Sequence, residues 1–258
     1  MSAFNVRFAI FFVLVISTCA PALAAPVERC AAPAPAADLS GCDFSGLSLA
    51  GRDLSNARLS NAKFERTNLR GARLDNADLS GSNLKWANLT GASLRKADLR
   101  NADLFHATFD QADMSGVLAG KANFFGANLI GTRAVGADFS GAYLKDILME
   151  GIDFSGGSLA DTYMLRAVVI SGLFVNASLA RADMTGAAAE YADFTGADLT
   201  GTRLTGASLR SAVFRNTKLK GADFSNADVS FATITDVHDI PPSLQEAATS
   251  QFGFGVIK

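Results

Sequence analysis

The side chains that most often carry catalysis or bind metals are scarce in this chain. Its 258 residues include two histidines, His106 and His238, and three cysteines, Cys19, Cys30 and Cys42. Neither histidine has carboxylates or cysteines beside it at metal-ligand spacing, and no two cysteines form a Cys-x-x-Cys motif. No glycine-rich phosphate loop and no Ser-His-Asp arrangement is present. We therefore expect no enzymatic activity, no cofactor and no metal site.

Aspartates are numerous, and they recur at a fixed place in the sequence. Asp78, Asp98, Asp138 and Asp198 each precede a large apolar residue, which could suggest a ladder of catalytic carboxylates. Short Asp and Asn side chains also hydrogen-bond to nearby backbone at turns. Because the spacing of these aspartates is a multiple of a repeat that runs through the whole chain, we interpret them as structural.

That repeat is five residues long and sets the organisation of the chain. A large apolar residue, with Ala at only three places, recurs every fifth position from Leu39 to Ile234, which makes forty units without insertion or deletion. Two residues before it, 26 of the forty units have Ala, and two residues after it stand 18 of the 23 glycines. Gly and Asn tolerate positive φ, so each unit has a turn at one fixed place. A period of five excludes a continuous helix and predicts a short extended stretch followed by a corner.

Units such as 87–91 (Ala-Asn-Leu-Thr-Gly), 97–101 (Ala-Asp-Leu-Arg-Asn) and 197–201 (Ala-Asp-Leu-Thr-Gly) resemble those of pentapeptide-repeat proteins. The resemblance implies an all-β fold, a right-handed quadrilateral parallel β-helix with four units per coil. Forty units then form about ten coils, a rod of roughly 48 Å at the spacing between paired strands. Four phenylalanines spaced by twenty residues support four units per coil independently, and they should stack inside the rod: Phe154, Phe174, Phe194 and Phe214.

The N-terminus has the layout of a secretory signal. One cation precedes the apolar run Phe8 to Ile16, and Ala22-x-Ala24 is a cleavage motif. We predict a signal peptide over residues 1–24 and an exported protein, periplasmic or extracellular, with lipidation at Cys19 as a weaker alternative. The apolar run is too short to be a stable membrane anchor.

Two cysteines remain after cleavage, and an even pair in an oxidising compartment predicts a disulfide. A Cys30–Cys42 bond would contribute about 3 kcal/mol by the loop-entropy model. It would tie an N-terminal cap segment, residues 25–36, over the first coil of the repeat domain, residues 37–236. A C-terminal cap, residues 237–258, would place a short helix over Leu244 to Thr249, and dimerisation through this end is the rival interpretation.

The balance of charged residues indicates which classes of macromolecule this chain can bind. Lys and Arg total 23 against 25 Asp and Glu, and loss of Arg7 with the signal peptide changes the net charge from −2 to −3. No basic surplus remains for nucleic acid, so we expect no nucleic-acid partner.

Between about Trp86 and Tyr191, many of the predicted outward positions hold apolar residues, whereas most other units have polar residues there. With four units per coil, six of these residues fall on one side of the rod, and Ile130, Leu148, Val168, Ile170 and Tyr191 fall on the neighbouring side. Such patches mark interaction surfaces, although a local bulge over residues 145–175 could bury part of it. The candidate patch comprises Trp86, Phe105, Phe125, Tyr143, Tyr163 and Leu165.

These observations predict a non-enzymatic exported scaffold that binds a macromolecule, either an unidentified protein or a second copy of itself, through the patch. The family resemblance also implies an alternative, since some members imitate DNA and bind gyrase. Those members act in the cytoplasm and depend on an acidic exterior, whereas this chain has a signal sequence and a charge near zero. A carbohydrate-cleaving solenoid is the least favoured reading, because paired catalytic groups are missing.

Overall fold

The structure, a computed structural model, describes residues 30–252. The backbone winds as a parallel coil in which each bridged residue pairs with the residue twenty positions later. The first bridge joins Asp38 to Arg58 and the last joins Lys218 to His238. Because a bridge occurs at every fifth residue, each coil of twenty residues has four sides. The periodicity of the sequence thus predicts the path of the chain.

Most sides are too short to count as strands and carry a single bridge. Two longer strands lie at the C-terminal end, β1 over Val213–Arg215 and β2 over Thr233–Thr235, and they pair in parallel with Phe214 opposite Ile234. One α-helix of the described region, α1 over Pro242–Phe252, follows the last coil.

One unit, residues 77–81, illustrates how the backbone is satisfied. Its first N–H closes the turn to the preceding unit, its second reaches the previous coil, and its third and fifth reach the next coil. The fourth N–H, which points along the corner, is bonded by the carboxylate of Asp78. In order, the five acceptors are Leu74 O, Ala57 O, Asp98 O, Asp78 Oδ1 and Arg100 O, at 3.0, 3.0, 2.8, 3.0 and 2.9 Å. The structural interpretation of the recurrent aspartates is therefore supported by their geometry.

Every corner of the coil has a positive φ at one residue, the second after the large apolar one. Glycine occupies many of these corners, and Gly81 has φ of 64°. Asparagine fills others, as at Asn101 with φ of 59°. Four corners hold an aromatic or imidazole side chain, in a conformation that costs about 1–3 kcal/mol for residues other than glycine. They are Trp86, His106, Tyr191 and Phe231.

The interior is filled mainly by apolar side chains, which form one continuous core along the rod. The predicted phenylalanine stack is present, with ring centroids of Phe174 and Phe194 5.3 Å apart and those of Phe194 and Phe214 5.2 Å apart. All are fully buried. Where threonine replaces the small inward residue its hydroxyl finds a backbone acceptor, as Thr202 Oγ1 does by donating to Leu179 O at 2.7 Å.

Both ends of the coil are covered within the described residues. At the N-terminal end Cys42 occupies a small inward position, is 2% exposed, and forms the expected disulfide with Cys30, with Cα atoms 5.6 Å apart. At the other end α1 buries Leu244 completely, and Ser243 Oγ accepts a hydrogen bond from the N–H of Phe224 at 3.0 Å. The helix therefore lies on the last coil. The predicted signal peptide, residues 1–24, lies outside the described residues.

Candidate interaction surface

The six predicted patch residues lie on one side of the coil, which we call the aromatic face. It is built around the buried column of large inward residues that begins with Phe44 and Phe64. For each inward residue of this column, the face includes the residue before it, the residue after it and the corner residue that comes next. Trp86, Phe105, Phe125, Tyr143 and Tyr163 come from five consecutive coils, and Leu165 lies in the same coil as Tyr163.

A local bulge does not bury these residues. The bridges continue without interruption through the segment in question, from Tyr143 to Tyr163 and from Leu148 to Val168. Trp86 is exposed by 48%, Tyr143 by 40% and Tyr163 by 36%, whereas Phe105, Phe125 and Leu165 are half-buried. The bulge interpretation is wrong because the degenerate units keep the five-residue frame and the large inward residues that hold it.

The aromatic rings form a ladder along the rod axis. Trp86 stacks on His106, with centroids 4.4 Å apart and ring planes 6° apart. Phe105 stacks on Phe125 at 5.4 Å and 6°, and Tyr143 on Tyr163 at 5.3 Å and 13°. Because one face of each of these six rings is covered by its stacking partner, few open ring faces remain. Sugars bind to open ring faces, so the ladder is a poor carbohydrate platform and a better fit to a protein surface.

Charged groups frame the ladder, and the sequence analysis did not assign them to the site. Lys145 Nζ lies over the Phe125 ring, 5.8 Å from its centroid. At the corner, the guanidinium of Arg166 donates two hydrogen bonds of 2.7 Å to the carboxylate of Asp146. These bonds lower the pKa of Asp146 and raise that of Arg166, so both stay charged. Lys145, Asp146 and Arg166 share the twenty-residue columns of the predicted patch, and this register was the signal available in the sequence; His106 was expected on this side of the rod, in the column of Trp86.

The aromatic residues of the ladder replace side chains that stabilise the corners in other coils. At most coils an Asp or Asn before the inward residue bonds the backbone N–H two positions on, as Asn123 does to Phe125 at 3.1 Å. Tyr143 and Tyr163 occupy this place in their coils, and a phenol cannot make that bond to its own corner. The unfavourable φ at Trp86 and His106 adds to this loss. The aromatics therefore stand where the repeat itself favours smaller, polar residues, which indicates a role apart from folding.

The neighbouring side carries the second apolar group anticipated from the sequence. Tyr191 is exposed by 65% and Leu148 by 37%, whereas Ile130, Val168 and Ile170 are half-buried. No ring ladder links them, and the apolar surface is less regular there.

Residues 30–252 contain neither a clustered set of metal ligands nor a membrane-spanning helix. No group of three or more histidine, cysteine or acidic side chains is arranged to hold a metal ion in this region. The helix α1 has 11 residues, and no helix within the described residues is long and apolar enough to cross a membrane.

A four-sided coil of five-residue units with an exposed aromatic face defines this protein as a structural repeat protein. The chain belongs to the pentapeptide repeat family. The family model, described as pentapeptide repeats, matches in 8 copies over residues 37–76, 53–91, 82–118, 122–159, 163–201 and 192–230. Members of this family fold as right-handed quadrilateral β-helices, and this chain has that fold. They are generally non-enzymatic scaffolds or interaction proteins.

The solved structure of one pentapeptide repeat protein is similar to this chain over most of its length. HetL, a pentapeptide repeat protein involved in heterocyst differentiation regulation from the cyanobacterium Nostoc sp. strain PCC 7120, is 28% identical with a TM-score of 0.59. The match covers 78% of this chain and 88% of HetL. A pentapeptide repeat protein from the Arabidopsis thaliana thylakoid lumen is 36% identical over 42% of this chain and 69% of its own, with a TM-score of 0.30. QnrB1, a plasmid-mediated fluoroquinolone resistance protein, is 17% identical over 84% of this chain and 98% of its own, with a TM-score of 0.39. A comparison with curated proteins found no match.

Proposed function

We propose that this protein is an exported, non-enzymatic scaffold that binds a macromolecule through the aromatic ladder. The observation that carries the proposal is the placement of five aromatic side chains in consecutive coils of one face, at positions where the repeat favours small or polar residues. In protein interfaces a few residues contribute most of the binding energy, and Trp, Tyr and Arg are enriched among them. The rest of the rod holds the ladder rigid, because each coil bonds to the coils on both sides of it.

Export is supported by the predicted signal peptide together with the Cys30–Cys42 disulfide. Disulfides persist in oxidising compartments and are rare where thiols are kept reduced. The bond closes over the first coil, where it stabilises an end that the repeat alone leaves open.

Gyrase binding, the alternative implied by the family resemblance, gains no support from the surface. Imitation of DNA needs a continuous acidic field. Here basic residues interrupt the acidic ones, as in the ion pairs of Arg58 with Asp38 and Arg73 with Asp53, although adjacent coils also bring Asp78 beside Asp98. Over the whole sequence, 23 basic residues nearly balance 25 acidic ones, so the acidic field is weak.

Site-specific photocrosslinking in the producing cells tests the proposal. A photoreactive residue would replace Phe125 in one variant and Val135 in the other. Both positions belong to the same coil and the same place in the five-residue unit, but they lie on opposite faces. We expect crosslinked products from position 125 and none from position 135. Equal yields, or no product at either position, would contradict the proposal.

A further inference from the structure

We propose that the macromolecule bound by the aromatic face is a second copy of this chain, packed face to face with the two rods antiparallel. The inference rests on the proposed function and names its partner. The twofold axis runs through the coil that contains Asn123 and Phe125, parallel to the strands of the aromatic face. The charges on this face carry the argument.

A twofold axis in this direction reverses the order of the coils but leaves each column of side chains opposite itself. Residues in coils equally far from the Phe125 coil, on either side of it, therefore meet across the interface. Phe125 and Asn123 meet their own counterparts. All other contacts form twice, once for each direction, so a favourable pair counts double.

Next to the axis the aromatic ring of Phe105 meets Lys145 of the second copy. Within one chain the ammonium of Lys145 already lies 5.8 Å from the centroid of the Phe125 ring. In the dimer the same ammonium lies among phenylalanines from both chains, where removal of water strengthens a cation–π contact. Asp103, in the column on the other side of the inward residues, meets the phenol of Tyr143, which donates to its carboxylate.

The corner column is equally complementary. His106 meets Asp146 of the second copy, and a ring N–H can donate to the carboxylate. Trp86 meets Arg166, whose guanidinium is held flat by its two bonds of 2.7 Å to Asp146. A planar guanidinium packs well on an indole, and Trp86 is exposed by 48%.

Further from the axis the face carries charges of alternating sign. Lys63 meets Asp183 of the second copy, and Asp43 meets Arg203. Within one chain Lys63 already pairs with Asp43 at 3.6 Å, and Arg203 pairs with Asp183 at 3.4 Å. Each end of the interface would thus bring two ion pairs together in an alternating group of four charges.

Other registers bring like charges together. With the axis one coil nearer the N-terminus Asp103 meets itself, and with the axis one coil nearer the C-terminus Asp103 meets Asp183. An axis midway between two coils also brings like charges together. It places Lys85 opposite Lys145 when it is shifted towards the N-terminus, and Lys63 opposite Arg203 when it is shifted towards the C-terminus. In the chosen register none of the three columns of the face has a like-charge pair. Lys121, at the corner that begins the face, meets its own counterpart, but its side chain is exposed and can turn into solvent.

The size of the face sets the expected strength. A rod of ten coils about 48 Å long, with a face about 10 Å wide, buries on the order of 1,000 Å² in total. This is near the lower limit for a specific interface, so the dimer should be reversible and concentration-dependent.

Chemical crosslinking of single cysteines tests the register. In the full chain with Cys19→Ser, Asn123→Cys places a thiol on the axis, opposite its own counterpart. A short bis-maleimide matched to the distance of about 10 Å between facing sheets should join two chains. The matched control is Asn83→Cys, the same substitution in the same column but two coils away, where the two thiols are about 20 Å apart along the rod. Asn83→Cys should crosslink only when mixed with Tyr163→Cys, because these two positions face each other.

Sedimentation of the wild-type protein up to about 100 μM gives the second measurement. We expect a monomer–dimer equilibrium that Phe125→Ser weakens at least tenfold, because Phe125 is lost from both sides of the axis. The control is Leu173→Ser, which removes a side chain exposed by 44% on the opposite face and should leave the equilibrium unchanged.

A wild-type protein that stays monomeric, or an Asn83→Cys variant that crosslinks to itself as well as Asn123→Cys does, overturns the dimer. The photocrosslinking experiment separates this failure from that of the proposed function. Products that contain a different protein at position 125 support the function and overturn the dimer, whereas products of twice the chain mass support both.

Discussion

The indole of Trp86 lies parallel to the imidazole of His106 at a centroid distance of 4.4 Å, and both residues have positive φ, 59° and 52°. Two corners that the repeat would ordinarily fill with glycine or asparagine are thus joined by a ring contact between neighbouring coils. A stacked pair contributes about 0.5–1.5 kcal/mol. That gain offsets part of the conformational cost of the two corners.

Replacement of an aromatic corner that lacks such a neighbour should stabilise the protein. Tyr191, with φ of 60° and 65% exposure, is the position to change. We expect Tyr191→Gly to raise the free energy of unfolding by about 0.5–1 kcal/mol, because glycine adopts this φ without strain. Denaturant unfolding measures the change.

Trp86→Gly is the companion experiment. It relieves the same backbone strain but removes the stack on His106, so the free energy of unfolding should change by less than about 0.5 kcal/mol. An equal gain at both positions would show that the stack contributes nothing.

Truncation inside the rod should have a much larger effect. Phe194 is fully buried between Phe174 and Phe214, with centroids 5.3 and 5.2 Å away. We expect Phe194→Ala to lower the free energy of unfolding by about 3–5 kcal/mol, because it leaves a cavity that the stacked coils cannot close. Phe105→Ala, at a half-buried outer position, is the control and should cost clearly less. Thermal melting of both variants gives the comparison, and equal losses would mean that the inward and outward positions are misassigned.

Glycine at an inward position has a steric role that differs from its role at the corners. A Cβ on Gly157 would lie 2.8 Å from the carbonyl oxygen of Ala137 and would overlap the ring of Phe154. We expect Gly157→Ala to destabilise the protein by about 1–3 kcal/mol through overpacking. Gly206→Ala, a corner where nothing lies within 4 Å of the new Cβ, isolates the effect of φ. Chemical denaturation should rank Gly157→Ala as the more damaging, and the reverse order would refute the packing argument.

Acid should weaken one particular inter-coil contact. The carboxylate of Asp75 accepts hydrogen bonds from the Arg95 guanidinium at 2.7 Å and from the Ser93 hydroxyl at 2.5 Å, and the bonds from Arg95 chiefly lower the pKa of Asp75. A carboxyl with a lowered pKa stabilises the folded state above its unfolded pKa of about 4. That stability is lost as the pH falls through the folded pKa.

The variant Asp75→Asn makes this measurable. We expect it to be less stable than the wild type at pH 7 by about 1–2 kcal/mol, with the difference shrinking as the pH falls from 5 towards 2. Melting curves across this range give the difference, and a gap independent of pH would show that charge plays no part.

The sequence predicts the fold of this protein unusually well, because the backbone pattern repeats. Leu39 and Ile234 occupy the same place in their units, so the period read from one part of the chain places every other part. Residue register alone also brought Phe105 and Phe125 onto one face. The sequence could not show ring orientation, since a column of aromatics can stack face to face or splay outward. It also could not show that Lys145 folds over Phe125, because side-chain direction depends on neighbours in two coils.

The disulfide illustrates a different limit. The pairing of Cys30 with Cys42 was expected because two cysteines remain after signal cleavage. That Cys42 is an inward residue, 2% exposed, follows from the same five-residue frame, since it stands where most units have alanine. The conformation of residues 30–36, which have no repeat, has no comparable signal in the sequence.

The bridges between residues twenty apart impose a rule on how this chain can evolve. Insertion of one five-residue unit between Phe105 and Tyr143 would move every later residue a quarter turn around the rod, and Tyr143 and Tyr163 would leave the side that carries Trp86 and Phe105. Insertion of twenty residues would only lengthen the rod by about 5 Å. An insertion therefore keeps each face intact only if its length is a multiple of twenty residues, as in the duplication of a whole coil.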